Sequence, residues 1–144
     1  MDRDRRLYWG KYARTLADKM ELRDWTISTA HRPSVEDANA EVECVYGKKT
    51  AIISLSLGFD GRSPEENRTT MVHELIHCHL AALDQHMRDA RGNANKAWVQ
   101  QLESTVNVHQ EYAVQALADV ISPFMPLPPS PKAKKKTKKK AAVV

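Results

Sequence analysis

His73-Glu74-Leu75-Ile76-His77 spells H-E-x-x-H. Residues four apart share one face of a helix, so the imidazoles of His73 and His77 can address a single metal ion. Glu74, beside the first histidine, is placed to reach a metal-bound water as a general base. Two imidazoles and a carboxylate in this order are the parts of a zinc hydrolase. Catalytic zinc usually takes three protein ligands and keeps a fourth position open, so a third ligand must come from elsewhere in the chain.

The third ligand does not follow at once. A glycine and a further histidine three and six residues after His77 would make the metzincin pattern, but those positions are Leu80 and Leu83. Asp84 lies two turns further along the same helix, too far along its axis to close a tetrahedral site with His73. The remaining class takes a glutamate from a later helix, and Glu103 and Glu111 are the candidates. Glu111 sits in an apolar stripe with Val108, Val114, Leu117, Ala118 and Ile121. A carboxylate in such a stripe calls for a partner, and zinc is one. Glu103 is nearer the helix start, where a solvent-facing carboxylate needs no explanation; Glu111 is the preferred ligand.

These residues need elements to hold them. Ser63-Pro64-Glu65-Glu66 is a helix start, with Ser63 as N-cap, Pro64 at the first helical position and Glu66 completing a capping box. The helix it opens is expected to run to about Met87 and to carry the H-E-x-x-H. A last helix spans from near Asn95 to about Ile121 and ends at the prolines that begin with Pro123. Upstream, Leu7 to Leu22 reads as a helix, with Leu7, Tyr8, Tyr12, Leu16, Lys19 and Met20 along one face. Trp25 to Ala30, Glu41 to Tyr46 and Thr50 to Leu57 read as strands. The segment Ala51 to Leu57 is the expected sheet edge beside the cleft, where an extended peptide adds as another strand. Met71, Leu75, Ala82, Trp25 and Trp98 are expected in the core. Cys78 is expected to act as a buried hydrophobe, and His79, turned about 200° from His77, to be no ligand.

At 144 residues the chain suits one domain, and 42% hydrophobic with 28% charged residues is ordinary for a soluble globular protein. No apolar run approaches the roughly 18 residues of a membrane span. The N-terminus is charged and no apolar signal core follows it, so the expected location is cytoplasmic. Cys44 and Cys78 are too few for a secreted disulfide framework. The net charge of +4 is a property of the C-terminus: seven lysines lie between Lys132 and Lys140, and without them 15 Lys+Arg face 18 Asp+Glu, a charge of −3. A nucleic-acid-binding face on the domain itself is therefore not expected. The division is residues 1–127 as the domain and 128–144 as a Pro/Lys-rich tail, expected to be disordered. The tail can make weak, sequence-independent contact with nucleic acid.

The run Val72-His73-Glu74-Leu75-Ile76-His77-Cys78-His79-Leu80, followed by Glu111-x-x-Val114-x-x-Leu117-Ala118, resembles the small gluzincin-type metallopeptidases, most closely short phage and prophage proteins. The resemblance covers roughly Leu7 to Leu127. It implies an α+β, minimal zincin-like fold: a supporting helix, a three-stranded sheet, the H-E-x-x-H helix and a glutamate helix. It also implies one zinc per chain held by His73, His77 and Glu111, with Glu74 as base in the hydrolysis of peptide bonds in a peptide or protein substrate. The chain departs from larger gluzincins in having His109-Gln110, not Asn-Glu, at the start of the glutamate motif, and no extra C-terminal domain is expected. A donor for the developing oxyanion is expected among His109, Tyr112 and Tyr46; His109 lies about 200° around the helix from Glu111 and faces elsewhere. Two alternatives share the motif: a zincin fold that keeps its metal as a non-catalytic binding or regulatory protein, and a protease tethered to DNA by its tail.

Overall fold

The capping box written at Ser63 forms as the sequence requires. Ser63 Oγ accepts from the Glu66 backbone N–H at 3.2 Å, and Glu66 Oε2 accepts from the Ser63 N–H at 2.8 Å and from its hydroxyl at 2.9 Å. Two orphan donors of the first turn are thereby satisfied, and the carboxyl of Glu66 is held below its ordinary pKa by those bonds. The structure, a computed structural model, describes residues 3–35, 38–91 and 96–130, with the backbone alone at 90, 91, 96 and 103.

In chain order the elements are helix α1 (Arg3–Lys19), strands β1 (Thr26–Thr29), β2 (Ala40–Val45) and β3 (Thr50–Leu55), helix α2 (Pro64–Arg91) and helix α3 (Lys96–Ile121). Short 3-10 turns follow β2, β3 and α3. This is an α+β architecture with three helices and a small mixed sheet. Helix α1 stops short of the expected Leu22 because Glu21 adopts φ 57°. The Leu22 N–H then turns back to the Ala17 carbonyl at 2.9 Å, closing the helix with a Schellman-type turn.

The strand order is β1-β3-β2, with β1 parallel and β2 antiparallel to β3. This corrects the expected edge: the strand that begins at Ala51 is central, paired on both sides, and β2 is the edge beside α2. The strand also ends at Leu55, leaving Leu57 exposed. Two glutamates, Glu41 and Glu43, ride on β2 and none on β3, which is how an edge is kept from pairing with other chains.

One core joins the elements. Trp9, Tyr12, Ala13 and Leu16 of α1 meet Ile27, Ala51, Ile53 and Leu55 of the sheet, Met71, Val72 and Leu75 of α2, and Val114 and Ala118 of α3. Phe59, in the turn before α2, is fully buried and stacks edge-on to Trp9 at 4.9 Å. Of the residues expected inside, Met71 and Leu75 are buried, but Trp98, at 58% exposed, is not. Leu7 and Lys19 likewise face out, and Trp9 takes the place in the α1 core face that they were expected to share.

The ordered chain continues past the expected domain boundary. Tyr12 Oη donates to the Pro126 carbonyl at 2.8 Å, and Tyr8 Oη donates to the Pro129 carbonyl, so residues 128–130 lie against α1. The lysine run from Lys132 lies outside the described residues. No helix among the described residues is long and apolar enough to cross a membrane.

Candidate metal centre

The middle of α2 has two characters. Met71, Val72, Leu75, Ile76 and Cys78 are buried, and packing them against the sheet and α3 fixes the rotation of the helix. That rotation leaves His73 and His77, one turn apart, on the rim with side chains 17% and 15% exposed. Helix α3 runs past this rim and brings Glu111 to it. Val114 and Ala118, both fully buried, seat α3 on α2, and Glu111 follows from their placement on the same flank.

The three side chains converge. His73 Nε2 lies 3.3 Å from Glu111 Oε2, His77 Nε2 lies 3.4 Å from Glu111 Oε1, and the two Nε2 atoms are 3.4 Å apart. The two imidazole nitrogens stand near the roughly 3.3 Å that separates the ligands of a tetrahedral zinc ion, and each approaches a different oxygen of the Glu111 carboxylate. Among the described residues this is the one group of three such side chains close enough to share an ion.

A fourth residue, overlooked in the sequence, orients His73. Gln115 Oε1 lies 3.1 Å from His73 Nδ1, while Gln115 Nε2 donates to Asp119 Oδ1 at 2.8 Å. That second bond settles which end of the amide faces the imidazole. The oxygen can only accept, so His73 carries its hydrogen on Nδ1 and turns the Nε2 lone pair toward His77 and Glu111. The available signal was positional: Gln115 is four residues from Glu111 and so on the same face of α3.

Glu74 is 6% exposed and lines the same cavity. Burial, then the charges of Glu111 and Glu41, push its carboxyl up to about 8, against a hydrogen bond from the backbone of Val42. That bond shows how the edge strand is turned. The Ser56 N–H donates to the Asn39 carbonyl at 2.9 Å. In the antiparallel register Glu41 and Glu43 likewise bond toward β3, while Ala40, Val42 and Cys44 present their backbone groups outward. His77 is held below its ordinary pKa, chiefly by burial and against the attraction of Glu111; it is therefore the neutral imidazole that a metal needs.

The cavity between β2 and α2 has a volume of about 550 Å³ and includes Glu41, Val42, Cys44, His73, Glu74, His77 and Glu111 among its lining. Asp84 lines it as well, accepting from Gln110 Nε2 at 3.0 Å, but stays outside the ligand group. The side chain of Glu103 is outside the described residues; its helical position, eight residues before Glu111, is about 12 Å away along the axis. None of the oxyanion candidates lines the cavity: Tyr112 and Tyr46 are 71% and 42% exposed, and His109 is exposed on the outer side of α3. His79 is exposed and Cys78 is buried, as expected.

The apolar stripe that singled out Glu111 is only partly buried. The Glu111 side chain is 57% exposed, as are Val108 and Leu117 by about half, and only Val114 and Ala118 of that stripe are fully buried. Comparisons with protein families, with curated proteins and with solved structures returned no match to this chain.

Proposed function

We propose that the chain is a zinc-dependent peptide hydrolase of the minimal, gluzincin-like zincin type. The observation that carries this reading is the convergence of His73, His77 and Glu111, which offer one ligand atom each within 4.8 Å of one another. His73, His77 and Glu111 hold the ion, one per chain. When bound, zinc supplies a Lewis acid that acidifies a water and polarises a carbonyl. Glu74, buried beside the first ligand, takes a proton from the attacking water and delivers it to the leaving amine. The Val42 N–H keeps the Glu74 carboxylate aimed, and Gln115 keeps His73 in the ligating tautomer.

The substrate is an extended peptide laid along β2. The backbone groups of Ala40 and Cys44, which the register turns away from β3, would take it as an added strand, and the cavity lies beside that edge. A purely structural metal site has no use for a base, and the presence of Glu74 in the cavity favours catalysis over a binding role.

Metal content and turnover test this together. Purified protein carries about one zinc per chain, which Glu111→Ala loses on dialysis. Glu74→Gln keeps the zinc and the fold but cleaves a denatured-protein substrate at least about 100-fold more slowly. Wild-type protein that takes up no zinc on reconstitution overturns the reading, as does Glu74→Gln protein with undiminished turnover.

A further inference from the structure

The thiols of Cys44 and Cys78 are both free, and their sulfur atoms are 3.5 Å apart across the interface of β2 and α2. Neither has a place in the metal centre. They are 34 residues apart in sequence, and only the docking of the edge strand on the helix brings them together. Their surroundings differ. Cys78 is 2% exposed, one residue after His77, on a helix held in the core. Cys44 is half-buried and lines the cavity. A disulfide requires an S–S distance of about 2.05 Å, so closure needs the sulfurs to approach by roughly 1.5 Å. The strand that must yield is β2, which pairs with another strand on one side only.

We propose that Cys44 and Cys78 are a redox-active dithiol that closes to an intramolecular disulfide on reaction with hydrogen peroxide. Cys44 is the thiol that meets the oxidant, through the cavity, and Cys78 resolves the product. The Cys44 sulfur attacks one peroxide oxygen; the O–O bond breaks, and the departing hydroxide leaves as water with the thiol proton, giving a sulfenic acid. The Cys78 sulfur then attacks the Cys44 sulfur; the S–O bond breaks, the S–S bond forms and a second water leaves with the remaining proton. Two thiols lose two electrons and two protons, and one peroxide becomes two waters. The product staples the wall of the cleft to α2 beside His77.

The inference is independent of the metal reading, and its test is run on the full chain with chelator present so that zinc plays no part. Reduced protein is treated with hydrogen peroxide, and linked peptides are mapped by mass spectrometry without reduction. The expected result is a Cys44–Cys78 cross-link within one chain, two hydrogens lighter than the reduced form and reversed by dithiothreitol. Closing a loop of this length raises the melting temperature by roughly 5–15 °C. In Cys78→Ala the Cys44 sulfenic acid is trapped by dimedone and no internal link forms. In Cys44→Ser the remaining thiol reacts at least tenfold more slowly than Cys44 does in Cys78→Ala. Circular dichroism confirms that both variants are folded before they are compared. Wild-type protein that keeps both thiols, links only between chains, or goes on to sulfinic acid without a cross-link overturns the proposal. So does a Cys44→Ser variant that reacts as fast as Cys78→Ala.

Discussion

In the metal-free protein, replacing Glu74 by glutamine should stabilise the fold at alkaline pH and do little in acid. The carboxyl is 6% exposed, and burial, Glu111 and Glu41 together push it from 4.5 up to about 8. Below pH 4.5 the group is protonated in both the folded and unfolded chain and contributes nothing. Between the two values the folded chain holds a proton that the unfolded chain releases, so stability falls as pH rises, by up to about 1.4 kcal/mol per unit. At pH 8 the ceiling is roughly 4 kcal/mol, and relaxation of the site around the charge reduces it to about 2–4 kcal/mol. Glutamine has the same shape and no proton to lose. Urea unfolding with chelator present, at pH 5, 6, 7 and 8, reads the difference directly, because other titrating groups largely cancel between the two proteins. Glu74→Gln should exceed wild type by less than about 1 kcal/mol at pH 5 and by about 2–4 kcal/mol at pH 8. Saturating zinc should shrink the gap, since a nearby cation favours the carboxylate. A difference that is flat with pH, or a wild type that is the more stable protein at pH 8, would refute the assignment of Glu74 as a buried, destabilising carboxyl.

Gln115→Ala should weaken zinc binding by about 10–100-fold in a competition titration against a chromogenic chelator, because His73 loses the acceptor that fixes its tautomer; unchanged affinity would leave Gln115 a bystander. Ser63→Ala removes the cap of α2 and should cost about 1 kcal/mol, seen as a melting temperature lower by roughly 3–5 °C; an unchanged melt would mean that Glu66 and solvent suffice. Deleting residues 131–144 removes all seven lysines of the tail and should abolish binding to DNA at low salt in a fluorescence anisotropy assay. Undiminished affinity would place the basic surface elsewhere.

What the sequence determined by itself was local. The cap at Ser63, the turn-to-turn spacing of His73 and His77, and the alternation through Val42 and Cys44 are written in neighbouring residues, because helix periodicity, capping and strand pleat act over four residues or fewer. The α+β class and the element order followed from the same signals. The candidate third ligand lay at the limit of that reach: Glu111 was selected for burial it does not have, yet the apolar positions Val114 and Ala118 that seat α3 were enough to bring it to the histidines. Tertiary structure decided the rest. Which strand forms the edge depends on long-range pairing, and there Ala51 to Leu55 became the centre and β2 the wall of the cleft. The Gln115 bond to His73 spans 42 residues, and the Cys44–Cys78 contact spans 34. Contacts of that range are set by how helices and sheet pack on one core, and no pattern within a single segment encodes them.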